Sequence, residues 1–168
     1  MTEAVVALGA NVGDRLAALR GAVAALDARS DTAVTAASGV YETEALVRPG
    51  TAAQPEHLNA VVTLETTLRP AALLRVLHAL ERAAGRDGSA ERWAPRPLDL
   101  DLLLYGDATV EAPGLTVPHP ALAARRFVLV PLADVAADRL VPGLGQTVRQ
   151  LLAACPDTGR VEVTAWEL

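Results

Sequence analysis

One stretch of sequence predicts both a buried strand and a chemical site: Leu98-Asp99-Leu100-Asp101-Leu102-Leu103-Leu104-Tyr105. Side chains alternate between the two faces of a strand, so Leu98, Leu100 and Leu102 share one face. Asp99 and Asp101 share the other face, about 7 Å apart. Two carboxylates at that separation repel each other unless positive charge lies near them. Magnesium would meet that need, because it prefers carboxylates, water and phosphates as ligands; two solvated acids on an exposed sheet face are the alternative.

Arginines lie both before and after this acidic strand in the sequence. Arg86, Arg92 and Arg96 precede it in a polar loop, and Arg125 follows it. Such arginines either form salt bridges with the aspartates or belong to a polyphosphate site, where the guanidinium fork meets phosphate oxygens in pairs. Their clustering around one acidic strand, in a chain of net charge −5, favours the phosphate site.

Hydrophobic spacing predicts alternating strands and helices before the acidic strand. Strands are predicted over residues 5–8, 32 to about 41 and 57–67, and helices over 14–29 and 70–84. With the strand at 98–105, the order is β-α-β-β-α-β. That order is typical of a ferredoxin-like α+β fold, an antiparallel sheet with helices packed on one face.

The remaining sequence predicts a C-terminal addition and two long loops. The addition contains an apolar stretch at 127–135, a helix over 146–154 and a final strand over 161–166. The loops cover residues 44–56 and 86–97, and loops of that length in a compact domain are often functional.

Length and composition describe an ordinary globular domain. The chain has 168 residues, of which 51% are apolar and 21% charged, so residues 1–168 are expected to form one domain. No apolar run approaches the roughly 20 residues that span a bilayer. The N-terminus lacks the basic start of a signal peptide. We therefore expect a cytoplasmic protein without a membrane partner.

Several classes of chemistry are excluded by residue type. All 15 basic residues are arginine, so a P-loop lysine, a kinase strand lysine and a Schiff-base lysine are all absent. The single cysteine, Cys155, excludes an internal disulfide. A sequence pI of about 5.2 argues against nucleic acid as the partner.

The aspartate pair is also the end of a longer and more specific motif, ERWAPRPLDLD at residues 91–101. Five further motifs are LGANVGD at 8–14, YET at 41–43, QPEHLN at 54–59, LTVPHP at 115–120 and RRFVLVPL at 125–132. In this order, over nearly the whole chain, they resemble the 6-hydroxymethyl-7,8-dihydropterin pyrophosphokinase family of folate biosynthesis.

The resemblance implies a ferredoxin-like enzyme that transfers pyrophosphate from ATP to the hydroxymethyl oxygen of the pterin and releases AMP. It also implies two Mg²⁺ ions held by Asp99 and Asp101, with ATP as co-substrate. The expected partners are these two small molecules, with no nucleic acid, and the expected state is a monomer.

The resemblance further assigns roles to individual positions. The implied catalytic residues are Arg86, Arg96, Asp99 and Asp101. The implied ATP-binding residues are His78, Glu81, Arg92, Arg96, Leu102, Thr116, His119 and Arg125. The implied pterin-binding residues are Thr43, Leu46, His57, Asn59, Trp93 and Phe127. By residue type alone, Phe127 fits a core position equally well, Asn59 fits a turn or bulge, and Trp93 fits loop packing.

Some positions depart from the family pattern. His57 stands where the family usually has an aromatic ring, and Glu44 stands where it often has proline. Gly88 and Gly114 replace arginines that some members have, and His78 replaces glutamine. None of these departures alters the aspartate pair. We therefore expect them to affect the affinity for the substrates more than the activity.

Two other functions fit parts of the sequence. A ferredoxin-like sensor that binds a small molecule without chemistry would explain the fold but not the aspartate pair. A metal-dependent nucleotidyl transferase or nuclease would explain the aspartates but not a pterin pocket around Asn59 and Phe127.

Overall fold

A computed structural model of the chain describes residues 1–44, 50, 52, 55–85 and 97–168. The strands in these ranges are β1 (Thr2–Ala10), β2 (Thr32–Ala37), β3 (Tyr41–Thr43), β4 (His57–Thr66), β5 (Asp99–Tyr105), β6 (Val110–Ala112), β7 (Leu115–Val117), β8 (Leu140–Val141), β9 (Gln146–Thr147) and β10 (Val161–Val163). The helices are α1 (Arg15–Asp27), α2 (Pro70–Ala83), α3 (Arg126–Ala136) and α4 (Val148–Ala154), with a short 3-10 turn at Leu122–Ala124.

The main sheet is antiparallel and ferredoxin-like, as the element order predicts. Among the described residues it contains six strands in the order β10-β3-β4-β1-β5, with β2 also paired to β4. The central strands β1 and β4 are buried along most of their length. The acidic strand β5 lies at one edge, and the C-terminal strand β10 lies at the other.

The strand predicted over residues 32 to about 41 is in fact two strands, β2 and β3, which pair end to end with β4. Ser38 lies at the break. Its backbone N–H donates to the Val61 carbonyl, and its Oγ accepts from the Val61 N–H, both at 2.9 Å. The side-chain oxygen thus replaces a backbone partner, which lets the chain leave regular pairing without an unsatisfied amide.

Helices cover both faces of the sheet, whereas the sequence predicted helices on one face. Helices α1 and α2 pack on the first face through leucines such as Leu19 and Leu73. The apolar stretch at 127–135 forms most of α3, which packs with α4 on the second face through Leu129 and Leu151. The C-terminal addition therefore supplies the second hydrophobic layer of the domain.

The alternation predicted for β5 is confirmed at its first residues. Leu98, Leu100 and Leu102 belong to the core beneath α1 and α2. A register shift opposite Val5 and Val6 then places both Leu103 and Leu104 in the second core. Asp99 and Asp101 are half-buried on the face opposite the three alternating leucines.

Helix starts follow sequence rules. Asp14 accepts a hydrogen bond from the Ala17 N–H at 3.0 Å and so caps α1. Pro70 occupies the first turn of α2, where its missing N–H costs nothing. None of the helices in the described ranges is both long enough and apolar enough to cross a bilayer.

Candidate active site

A cavity of about 320 Å³ opens beside β5, between α2 and the segment that follows β6. Seven residues predicted to bind nucleotide or metal line it, namely His78, Glu81, Asp99, Asp101, Leu102, Thr116 and His119. They come from three separate segments of the sequence: α2, β5 and residues 116–119. The fold therefore brings together most of the described part of the predicted nucleotide site.

The two aspartates face a part of the sheet that carries little side-chain bulk. Asp99 lies opposite Gly9 of β1, and Asp101 lies opposite Ala7. The side chain of Asp101 is 38% exposed, so its oxygens remain accessible to a ligand from the cavity side. Small residues on the neighbouring strand therefore keep the carboxylate face open.

His119 provides a nitrogen close to Asp101. Its Nε2 lies 3.9 Å from Asp101 Oδ1. Its Nδ1 accepts a hydrogen bond from the Ala121 N–H at 3.2 Å, so the neutral ring carries its proton on Nε2. Burial lowers the pKa of His119, while Asp101 and Asp99 raise it and Arg125 lowers it further. The neutral ring with a donor on Nε2 is the form that burial favours.

Glu81 connects helix α2 to the acidic strand. It is buried, and its Oε1 accepts a hydrogen bond from the Leu100 N–H at 2.8 Å. Leu100 lies between the two aspartates, so this bond fixes the segment of β5 that carries them. The contact supports a positioning role for Glu81 beside its predicted role in nucleotide binding.

Arg125 and Phe127 lie together at the start of α3. The Arg125 guanidinium carbon is 5.8 Å from the centroid of the Phe127 ring, within cation–π range. Phe127 is half-buried and packs against the core of the second face. The positive charge of Arg125 also acts on His119, which places Arg125 within electrostatic reach of the cavity.

A row of residues across three strands links the two halves of the predicted site. Asn59 of β4 pairs with Gly9 of β1, and Gly9 pairs on its other side with Asp99 of β5. Residues in one row share a sheet face, and two strand spacings separate Asn59 from Asp99 by about 10 Å. Because Gly9 lacks a side chain, the surface between the amide and the carboxylate stays clear.

The predicted pterin residues on β3 and β4 lie next to this row. Asn59 is buried, and its Nδ2 donates to Thr43 Oγ1 at 2.5 Å. A Cβ atom built on Gly9 would come 3.1 Å from Asn59 Oδ1, so the amide oxygen faces Gly9. His57 lies opposite Thr43 at the first position of β4.

Five predicted site residues lie outside the described residues: Leu46, Arg86, Arg92, Trp93 and Arg96. Their predicted roles in catalysis, ATP binding and pterin binding stay predictions. The roles of the described residues stay predictions as well, although their positions now support them.

The donor set at Asp99 and Asp101 suits a hard cation. Within residues 1–44, 50, 52, 55–85 and 97–168, no cluster of three or more His, Cys, Asp and Glu side chains could hold a metal by itself. Magnesium does not require such a cluster, since it commonly binds one or two carboxylates and completes its shell with water and substrate phosphates. Two accessible carboxylates beside an open cavity fit that pattern.

Gly9 lies in the candidate site, but the sequence alone predicted no role for it. It belongs to the LGANVGD motif at residues 8–14, so it was visible as part of a pattern. Its two strand partners are Asn59 and Asp99, which are 50 and 90 residues away in the sequence. A glycine one residue before the end of a strand is a signal of close approach between groups.

Known proteins resemble this chain in sequence and in fold. Residues 5–137 match the family model described as 7,8-dihydro-6-hydroxymethylpterin-pyrophosphokinase. The 2-amino-4-hydroxy-6-hydroxymethyldihydropteridine pyrophosphokinase of Synechocystis is 44% identical over 89% of this chain and 74% of its own length. The Pseudomonas aeruginosa protein of the same name is 42% identical over 92% of both chains.

A solved structure shares the fold. The Plasmodium falciparum HPPK-DHPS structure covers 92% of this chain with a TM-score of 0.67 and 15% identity. The chain spans 43% of that longer protein, so the likeness concerns one part of it.

Proposed function

The chain belongs to the 7,8-dihydro-6-hydroxymethylpterin-pyrophosphokinase family, and we propose that ATP is its pyrophosphoryl donor and Mg²⁺ its cofactor. As a member of this family it is a pyrophosphokinase of folate biosynthesis that acts on hydroxymethyldihydropterin. The proposed reaction forms a bond between the hydroxymethyl oxygen and the β-phosphorus of ATP and breaks the bond from that phosphorus to AMP. The sensor and nuclease alternatives are replaced by this assignment.

One observation carries the proposal about the site: the row Asn59, Gly9 and Asp99 on a single sheet face. An amide that can pair with a polar heterocycle stands about two strand spacings from a carboxylate that can hold a metal. A bicyclic pterin bound at Asn59 would extend its hydroxymethyl arm toward β5. Positioning of two substrates is the largest part of what a phosphoryl-transfer enzyme supplies.

On the pterin side, Asn59 and Thr43 would bind the ring edge. The amide donates to Thr43 Oγ1, which fixes its orientation and turns Oδ1 toward Gly9. Asn59 Oδ1 can then accept from a ring N–H. His57 and Phe127 would supply faces for stacking, together with Trp93, and Leu46 would close the pocket through its backbone.

On the nucleotide side, Asp99 and Asp101 would hold Mg²⁺, with two ions expected from the resemblance. The bound metal would neutralise charge on the phosphate oxygens as the β-phosphorus is attacked. His119 Nε2–H would donate to a phosphate oxygen or to Asp101, and Arg125 would add positive charge at the same edge. Thr116, Leu102 and His78 would contact the base. Arg92 and Arg96 would bind the triphosphate together with Arg125, and Arg86 would assist the transfer.

Removal of one carboxylate tests the proposed metal site. Asp101→Asn and Asp99→Asn should each lower pterin-dependent AMP formation by at least about 100-fold, since a neutral amide binds Mg²⁺ weakly. The matched control is Asp107→Asn, an exposed aspartate just beyond β5 that should keep full activity. Full activity of both site variants would contradict the assignment of these carboxylates to the metal.

A further inference from the structure

Arg160 lies among three glutamates at the edge of the main sheet, away from the cavity. Its guanidinium forms ion pairs with Glu56, with Glu162 (Nη1–Oε2, 3.0 Å) and with Glu44 (Nε–Oε1, 3.8 Å). The Arg160 side chain is 38% exposed. One cation therefore connects three segments of the chain: the end of β3, the start of β4 and the C-terminal strand.

The strand register explains how these groups meet. The last paired row of β10, β3 and β4 contains Thr43 and His57. The next row along the same strands contains Arg160, Glu44 and Glu56. Neighbouring residues of a strand point to opposite faces, so Arg160 lies behind the face that carries Thr43 and His57. Any effect of Arg160 on a pterin would pass through the backbone of these two residues.

Two contacts made by described residues hold the end of the 44–56 segment that enters β4. The Pro55 carbonyl accepts from Asn11 Nδ2 at 3.4 Å, and the Glu56 carbonyl accepts from Arg15 Nη1 at 2.8 Å. These contacts fix the end that enters β4. Arg15 also pairs with Glu42 of β3 (Nη2–Oε2, 2.9 Å). Arg160 therefore adds a second connection between β3 and the start of β4, because it joins Glu56 to Glu44.

The segment that carries Arg160 is itself held in place. The Thr164 N–H donates to the Val40 carbonyl at 2.9 Å, and Asp157 Oδ2 accepts from the Arg126 N–H at 2.9 Å. These contacts lie on both sides of Arg160 in the sequence. The guanidinium therefore projects from a fixed support, which an ion pair needs if it is to restrain its partners.

We propose that Arg160 is a positioning residue for the pterin subsite, an inference that rests on the proposed function. By joining Glu44 to Glu56 it fixes the separation of β3 and β4 just beyond their last paired row, which contains Thr43 and His57. Thr43 in turn holds the Asn59 amide. Loss of the cation would allow these groups to move relative to one another and weaken pterin binding.

The sheet order restricts the effect to one substrate. Arg160 precedes β10 at one edge, whereas the cavity lies beside β5 at the other edge. Strand β1 separates β4, the last strand of the Arg160 row, from β5. Arg160 should therefore influence the affinity for pterin and leave the affinity for nucleotide unchanged.

The test compares binding of 6-hydroxymethyl-7,8-dihydropterin and of a non-hydrolysable ATP analogue to four purified proteins at low salt: the unchanged chain, Arg160→Gln, Arg160→Lys and Arg149→Gln. Arg149 is the matched control, because it forms an exposed pair with Asp138 outside the site. Arg160→Gln should raise the pterin Kd about two- to fivefold, the range of an exposed ion-pair network. Arg160→Lys should recover part of the loss, and Arg149→Gln should match the unchanged chain.

An unchanged pterin Kd in Arg160→Gln would overturn the proposal. So would an equal loss of affinity for the ATP analogue, because that would indicate a general loss of structure. Amide exchange of the ligand-free proteins gives a readout that needs no pterin. Faster exchange near Glu44 and Glu56 in Arg160→Gln supports the restraint of these residues by Arg160, even if the unchanged protein binds no pterin. Absence of pterin binding would contradict the proposed function alone. Equal exchange rates in the two proteins would contradict the restraint.

Discussion

At the scale of single residues, Gly9 shows how a position without a side chain can define a site. It separates Asn59 from Asp99 in one row of the sheet. Any side chain there would enter the space that the amide oxygen faces. The residue contributes no chemistry of its own, and its identity is explained by the two groups it keeps apart.

Gly9→Ala should therefore weaken pterin binding more than ATP binding. The new Cβ would come 3.1 Å from Asn59 Oδ1, which forces the amide to shift. Overpacking of this kind costs about 1–3 kcal/mol, so the pterin Kd should rise by about tenfold or more. Titrations with pterin and with an ATP analogue measure how much affinity is lost for each ligand.

Gly21→Ala provides the control for glycine replacement. Gly21 is exposed in α1, and an added Cβ would meet no atom within 4 Å. That variant should bind both ligands normally and gain about 0.5–1 kcal/mol of stability from helix propensity. Equal pterin affinity in both glycine variants would contradict the role given to Gly9.

The sequence predicted which residues could bind ligands better than it predicted the hydrogen bonds and ion pairs between them. Asp99 and Asp101 were expected on one face of a strand, and they lie there. The donor–acceptor pair of Asn59 and Thr43 could not be predicted from spacing, because it depends on how β3 and β4 pair. The same holds for Arg160, whose partners Glu44 and Glu56 lie more than 100 residues away in the sequence.

At the scale of elements, the bond from Leu100 to Glu81 joins α2 to β5. Glu81→Ala would leave the buried Leu100 N–H without this acceptor, which should lower the free energy of unfolding by about 2–4 kcal/mol. Glu81→Gln keeps a side-chain oxygen and should lose less. Chemical denaturation of the two variants measures the difference, and equal losses would contradict the role of the acceptor oxygen.

A second contact joins β3 to α3. Tyr41 Oη donates to Asp134 Oδ2 at 2.7 Å. Burial and the neighbouring carboxylate raise the pKa of Tyr41 from 10.0 to about 12. The pKa of Tyr41 is higher in the folded chain than in the unfolded chain. The stabilisation that Tyr41 contributes is therefore complete below pH 10 and is lost as the pH rises toward 12.

Tyr41→Phe should therefore lower the free energy of unfolding by about 1.5–3 kcal/mol at pH 8, the value of a hydrogen bond to a charged group. It should also reduce the loss of stability between pH 10 and pH 12. Denaturation at several pH values tests both effects. An unchanged loss of stability between pH 10 and pH 12 in Tyr41→Phe would contradict the assignment.

Some helix and strand boundaries are determined by neighbouring residues in the sequence, and others by contacts across the sheet. The helix from Pro70 and the strand from Asp99 follow from caps and alternation within their own segments. The division between β2 and β3 does not, because it depends on the contact of Ser38 with Val61 across the sheet. The apolar stretch at 127–135 could not be assigned to helix or strand by pattern alone, and packing on the second sheet face decides that it is helical.

At the scale of the whole molecule, the ferredoxin-like core carries the candidate site, and the C-terminal addition contributes candidate residues to it. Helix α3 begins with the pair Arg125 and Phe127, and β10 brings Arg160 to the opposite edge. The element order predicted the core sheet. The second layer was harder to predict, since a short helix and a three-residue strand give weak sequence signals. A monomeric state, a cytoplasmic location and a single domain over 1–168 stay predictions.

Product analysis with the unchanged protein tests the central claim most directly. The protein is incubated with ATP and Mg²⁺, with and without 6-hydroxymethyl-7,8-dihydropterin, and the nucleotides are separated. AMP should form only when pterin is present, in equal amount to the pyrophosphorylated pterin, without ADP, and removal of Mg²⁺ with a chelator should stop the reaction. Formation of ADP, or absence of AMP at saturating pterin from a folded protein, would contradict pyrophosphoryl transfer by this chain.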